Sequence, residues 1–82
     1  MKTWINFTQS GTSVSGKTYI WNVIAKESGQ ILGTISWFGR WRKYVFEPGS
    51  ATVYEEDCLR DIATFIENAT KAHRAALPWR KE

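Results

Sequence analysis

Eighty-two residues suffice for one small domain with a modest core. Apolar residues make up 43% and charged residues 23%, which excludes a disordered chain, and 15% aromatics with five Trp bring large buried areas per residue. A net charge of +3 permits an anionic partner without requiring one; the single Cys58 excludes an internal disulfide and a multi-cysteine zinc site.

The first run, residues 2–8 (KTWINFT), has mixed alternation and predicts a short strand at a sheet edge. Residues 8–16 form a polar, glycine-bearing loop. In residues 17–26, Tyr19, Trp21, Val23 and Ala25 share one side and Ile20 and Ile24 the other, as in a strand. Glu27–Gln30 reads as a tight connection into a third strand at 31–38, giving a hairpin. Phe38-Gly39-Arg40 is a second turn into a fourth strand at 41–47, which places Arg42, Tyr44 and Phe46 on one face and Trp41, Lys43 and Val45 on the other. Pro48-Gly49 stops the sheet, because proline cannot donate to a ladder.

Thr52-Val53-Tyr54-Glu55 has capping-box spacing, and Glu55, Glu56 and Asp57 crowd the first turn against the positive end of the helix dipole. Leu59, Ile62, Phe65, Ile66 and Ala69 recur at helical steps with Cys58 beside them, predicting one amphipathic helix that ends before Pro78. The expectation is an α+β domain spanning 1–82: an antiparallel sheet of about four strands over about 2–47, a helix over about 54–76 packed on one face, and a short basic tail at 77–82. With no basic start leading into an apolar stretch and no apolar run near about 18 residues, neither a signal peptide nor a membrane contact is expected. One free cysteine suits a reducing cytoplasm.

Two short strings invite stronger readings. Gly11–Thr18, GTSVSGKT, satisfies the phosphate-loop pattern letter for letter. Such a loop works by delivering glycine-rich backbone into a helix N-terminus, whereas Lys17-Thr18 runs into a β-branched and aromatic strand pattern. Nucleotide binding is therefore not expected. Residues 41–44 spell the tetrad that names a family of zinc-stabilised plant transcription factors, but the two Cys and two His of those domains face one Cys and one His here. No metal or other cofactor is expected. Cys58 and His73 lie 15 residues apart on the predicted helix, about 22 Å, too far for a thiolate–imidazole pair. No acid, base and nucleophile assemble, so a non-enzymatic role is expected.

From about Trp21 to Ile66 the sequence carries the pattern L-G-x-I-x-W, W-R-x-Y-x-F-x-P and C-L-x-D-I-x-x-F. Its positions are held by Leu32, Gly33, Ile35, Trp37, then Trp41, Arg42, Tyr44, Phe46, Pro48, then Cys58, Leu59, Asp61, Ile62 and Phe65. This resembles a group of short, uncharacterised proteins found in tailed-phage and prophage genomes. The resemblance implies a small phage accessory protein acting in the cytoplasm of a bacterial host, with no activity attached. Gly33 allows close packing or a bulge, Pro48 ends the sheet, and Leu59, Ile62 and Phe65 dock the helix. Trp37, Trp41 and Arg42 are harder to place, and the sheet face left uncovered by one helix is expected to carry some of these rings.

Two functions follow. The first is a protein-interaction module in which Trp37, Phe38, Arg40, Trp41 and Arg42 dock a host or phage protein, with self-association through a sheet edge as a further option. The second is nucleic-acid binding, in which Arg40, Arg42 and Lys43 interleave with Trp41 and Tyr44 to grip phosphates and stack on bases. A sheet followed by a helix is similar in architecture to phage-integrase arm-binding domains, which lay a sheet into the major groove. The acidic turn at 55–57 and the low net charge oppose it.

Overall fold

The computed structural model describes residues 4–14 and 16–75. Four strands, β1 (Ile5–Thr12), β2 (Tyr19–Ala25), β3 (Ile31–Phe38) and β4 (Lys43–Pro48), precede one helix, α1 (Glu56–Ala75). The strands form an antiparallel meander in the order β1-β2-β3-β4. This is the α+β arrangement expected. The predicted tail at 77–82, residues 2 and 3 and the helix end at Ala76 lie outside the described residues.

Alternation decides which side chains α1 covers. Directly opposed residues share a face, and the pairs Phe7↔Val23, Trp21↔Ile35, Ile35↔Phe46 and Trp37↔Tyr44 set the inner one. Ile5, Val23, Ile35, Tyr44 and Ile62 are buried there, with Phe7, Trp21, Trp37, Phe46 and Phe65 packed around them. The rings form one connected set. Phe65 stacks on Phe7 at 4.1 Å and meets Trp21 edge-on at 4.9 Å, Trp21 meets Tyr44 at 5.1 Å, and Trp37 meets Tyr44 at 5.2 Å. Large rings in edge contact make up for the few fully buried aliphatic side chains of so short a chain. The outer face carries Asn6, Thr8, Asn22, Thr34 and Ser36, with Ile20, Ile24 and Val45 among them. Of the rings expected there, Trp37 lies instead on the inner face with Tyr44.

Several expected boundaries move, each for a physical reason. The polar stretch expected to be loop from Thr8 pairs as strand through Thr12, because a bulge at Ser10 absorbs the extra residue and the Ser10 hydroxyl donates to the Ile20 carbonyl at 3.3 Å. Pro48 is the last strand residue rather than the stop before it, since it lies on the sheet edge opposite Gly33 and needs no ladder amide. At the helix start, Glu55 is the N-cap: its carboxylate accepts the Cys58 amide at 2.6 Å and its carbonyl the Leu59 amide at 3.0 Å. Thr52 is not the cap. Its hydroxyl donates to Gly49 O at 2.9 Å and lies 3.0 Å from the Tyr54 hydroxyl, which donates to Leu32 O at 2.7 Å, so this pair fixes the β4–α1 connection instead. Leu59 does not dock. It is half exposed, and the inward stripe of α1 runs through Cys58, Ile62, Phe65, Ile66 and Ala69 to Thr70.

The string GTSVSGKT divides between strand and hairpin. Gly11 and Thr12 belong to β1, Ser13 and Thr18 face each other with the Ser13 amide donating to Thr18 O at 2.9 Å, and the chain continues straight into β2. No helix N-terminus follows Lys17-Thr18.

Two predictions arise from the β4–α1 connection. Ala51 holds φ 57, in the left-handed region that costs a residue with a Cβ about 1 kcal/mol or more. Ala51→Gly is expected to raise stability by about 0.5–1 kcal/mol, read as a higher denaturation midpoint with unchanged slope. The hydrogen bond from the Cys58 amide holds the Glu55 carboxyl below its ordinary value of 4.5. A lowered carboxylate stabilises the fold fully above 4.5, and that contribution is lost as pH falls through the lower folded value. Glu55→Ala should therefore narrow the stability gap between neutral and acid pH, measured by thermal melts across that range.

Candidate interaction surface

The β3–β4 turn is built around a reversal at Arg42. Phe38↔Lys43 is the last pair of the ladder, and four residues, Gly39 to Arg42, close the hairpin. The Trp41 and Arg42 amides both donate to Phe38 O, at 3.2 and 2.9 Å, and Arg42 returns the chain to the strand with φ 56. Trp41 and Arg42 therefore sit at the tip rather than in the strand, and the expected alternation begins only at Lys43.

This geometry splits the seven residues singled out by the sequence. Trp37 packs between Tyr44 and His73, with ring centroids 5.2 and 4.4 Å away; Tyr44, 2% exposed, belongs to the core, and Trp37 is partly buried against it. Phe38, Arg40, Trp41, Arg42 and Lys43 remain exposed together. Trp41 is 63% and Phe38 37% exposed, and the two rings meet edge-on at 4.8 Å, so each limits the other's rotamers and the pair stands as one apolar knob. Three cations, Arg40, Arg42 and Lys43, are its neighbours in the chain, and no acidic residue occurs between Gln30 and Phe46. The signal that separates the two groups was present in β3: Gly33, Ile35 and Trp37 alternate with Thr34 and Ser36, which marks Trp37 as inward.

The end of α1 holds the turn in place. Arg74 Nη2 donates to the Arg42 carbonyl at 3.0 Å, and the Thr70 hydroxyl accepts the Tyr44 amide at 3.1 Å at the outer edge of β4. Sequence periodicity did not single out Thr70, because a polar residue on the flank of an apolar stripe gives no signal until the edge strand it bonds is known.

An open groove of about 490 Å³ lies between α1 and the upper half of β2, walled by Tyr19, Trp21, Tyr44, Phe65 and His73 with Lys17 beside them. The Tyr44 hydroxyl, part of that wall, accepts the Tyr19 amide at 3.2 Å. Its flat aromatic walls suit a planar or aliphatic group. Cys58 stands apart from it, near the other end of the helix from His73. Burial pushes the Cys58 thiol above its ordinary value, and the neighbouring Glu55 carboxylate pushes it the same way. That lowers the thiolate fraction at neutral pH. Among the described residues no three His, Cys, Asp or Glu side chains gather as a metal site, and no helix is long and apolar enough to cross a membrane.

Over 50 residues the chain is 38% identical to an uncharacterised 9.3 kDa protein of Acholeplasma phage L2. The chain is similar to a small phage protein. The aligned stretch takes in 61% of this chain and 64% of the phage protein, so less than two thirds of that relative is spanned. No protein-family model matches the chain, and no solved structure matches it.

Proposed function

We propose that this chain is a small, non-enzymatic accessory protein of phage or prophage origin that acts inside a bacterial host by binding another protein through the tip of the β3–β4 hairpin. The observation that carries this reading is the exposed Phe38–Trp41 knob with Arg40, Arg42 and Lys43 around it, on a turn anchored from behind by Arg74. Trp and Arg are the side chains most enriched where binding energy concentrates, and a pre-ordered pair loses little freedom on docking. The cations select a partner with an apolar socket and an acidic rim. The similarity to a phage protein and the pattern from Leu32 through Phe65 support the origin and add no activity.

A second reading, nucleic-acid binding, is favoured by one observation: three cations and a stackable ring fall within residues 40–43, in a stretch with no acidic residue from Gln30 to Phe46. Substitution separates the two. If protein is the partner, Trp41→Ala lowers affinity about 30-fold or more and moderate salt changes it little. If nucleic acid is the partner, Arg42→Gly and Lys43→Ala each weaken binding and each lower the salt slope by about one. Glycine is the appropriate replacement at 42 because it removes the guanidinium while keeping φ 56 accessible. Quantified pull-downs from host lysate and filter binding to a short duplex, each at two salt concentrations, read both outcomes.

A further inference from the structure

The two edges of the sheet are finished differently. Along β4, Thr70 accepts the outward Tyr44 amide, Arg74 occupies the Arg42 carbonyl, and Pro48 has no amide to offer. The helix also packs most closely on β4. Among the described residues, no side chain of α1 bonds the backbone of β1 in this way. From Trp4 to Thr12 there is no charged residue and no proline, two of the devices by which edge strands discourage pairing, and the bulge at Ser10 lies beyond the span Ile5–Gln9. The Lys26 amide bonds Trp4 O at 3.0 Å, so the alternation of an antiparallel ladder turns the amides and carbonyls of Ile5, Phe7 and Gln9 away from β2.

We propose that β1 pairs antiparallel with β1 of a second copy of this chain, about a two-fold axis at Phe7, to form a continuous eight-stranded sheet. A second copy is the occupant because the edge is complementary to itself in that register. Phe7 exchanges two backbone bonds with its symmetry mate, and Ile5 and the partner's Gln9 exchange bonds on either side, about six in all. Asn6 faces the partner's Thr8 on the outer face, pairing polar with polar. The axis is perpendicular to the sheet, so both helices lie on one face. Phe7, stacked at 4.1 Å under Phe65, then meets its counterpart over the half of the sheet that α1, leaning on β4, covers least. The two β3–β4 turns end at opposite corners of the assembly, free for docking. The inference is independent of what those turns bind.

The test is sedimentation equilibrium of the full chain over a wide concentration range, with paired charge variants on the outer face. Wild type is expected to give twice its 9.4 kDa mass. Asn6→Lys with Thr8→Lys puts like charges opposite each other twice and should weaken the dimer at least about tenfold. Asn6→Lys with Thr8→Glu puts opposite charges there and should restore it. Far-UV circular dichroism confirms that each variant is folded. A wild type that stays monomeric at every concentration overturns the proposal, and so does a Lys/Lys variant that dimerises as tightly as wild type. A Lys/Glu variant no better than Lys/Lys overturns the register. Should the Lys/Lys variant fail to fold, hydrogen exchange at the wild-type Phe7 amide decides: protection that rises with protein concentration supports the pairing, and concentration-independent exchange contradicts it.

Discussion

Gly33→Ala is expected to destabilise the protein by about 3 kcal/mol, the largest effect of any single methyl group added to this sheet. A Cβ at position 33 would lie 2.5 Å from the Glu47 carbonyl oxygen and 2.7 Å from Cε1 of Phe46. The first is backbone of the neighbouring strand and cannot swing away. The second is a ring already held edge-on to Tyr54 at 5.3 Å. Relief requires β4 to move off β3, or Phe46 to leave its place beside the aromatic core, and either disturbs the Leu32 carbonyl that both Gly49 and Tyr54 use. Small domains carry about 5–15 kcal/mol of total stability, so the loss removes a large share of it. Urea denaturation of wild type and variant, followed by tryptophan fluorescence, measures the difference. An unchanged midpoint would mean that Phe46 does not lie over Gly33.

Tyr44→Ala is expected to cost about 4 kcal/mol. Its ring is the hub between Trp21 and Trp37, its hydroxyl accepts the Tyr19 amide, and its own amide donates to Thr70. Tyr44→Phe isolates the hydroxyl and should cost about 1 kcal/mol, because it leaves the ring in place and removes only the acceptor for Tyr19. The contrast also bears on function. A contact residue for an external partner would tolerate Tyr44→Ala in the free protein, whereas a core residue does not, so the same denaturation series checks that Tyr44 belongs with Ile35 and not with Trp41.

Much of the architecture was legible in the sequence because two periods are written clearly in it. Tyr19, Trp21 and Val23 alternate against Ile20 and Ile24, the glycine-bearing Glu27–Gln30 turn ties that run to Ile31–Phe38, and Ile62, Phe65, Ile66 and Ala69 mark one helix. What escaped depends on neighbours distant in the chain. Glu55 takes the cap from Thr52 because Tyr54 and Gly49 engage the threonine hydroxyl. Leu59 faces outward although it fits the apolar spacing, while Thr70, which does not, is buried against the edge of β4. Extension of β1 through Thr12 rests on a bulge, and bulges leave little trace in composition.

The candidate site was legible in part for a related reason. Composition marked 37–44 as rich in rings and cations, but only the reversal at Arg42 sorts them. A residue with φ 56 ends the alternation, lifts Trp41 and Arg40 onto the tip, and returns Tyr44 to the inner face. The letters of the phosphate-loop string met the opposite fate: their spacing is right, and the strand that follows them supplies none of the helix amides such a loop needs.

The most direct test of the docking role is to record amide and indole spectra of isotope-labelled protein in nuclease-treated host lysate, with a short DNA duplex as the parallel sample. Selective broadening of the amides of residues 38–43 and of the Trp41 indole is expected in lysate at moderate salt, abolished by Trp41→Ala and absent with the duplex. Broadening confined to other residues, or salt-sensitive shifts at 38–43 with the duplex alone, would contradict the docking role.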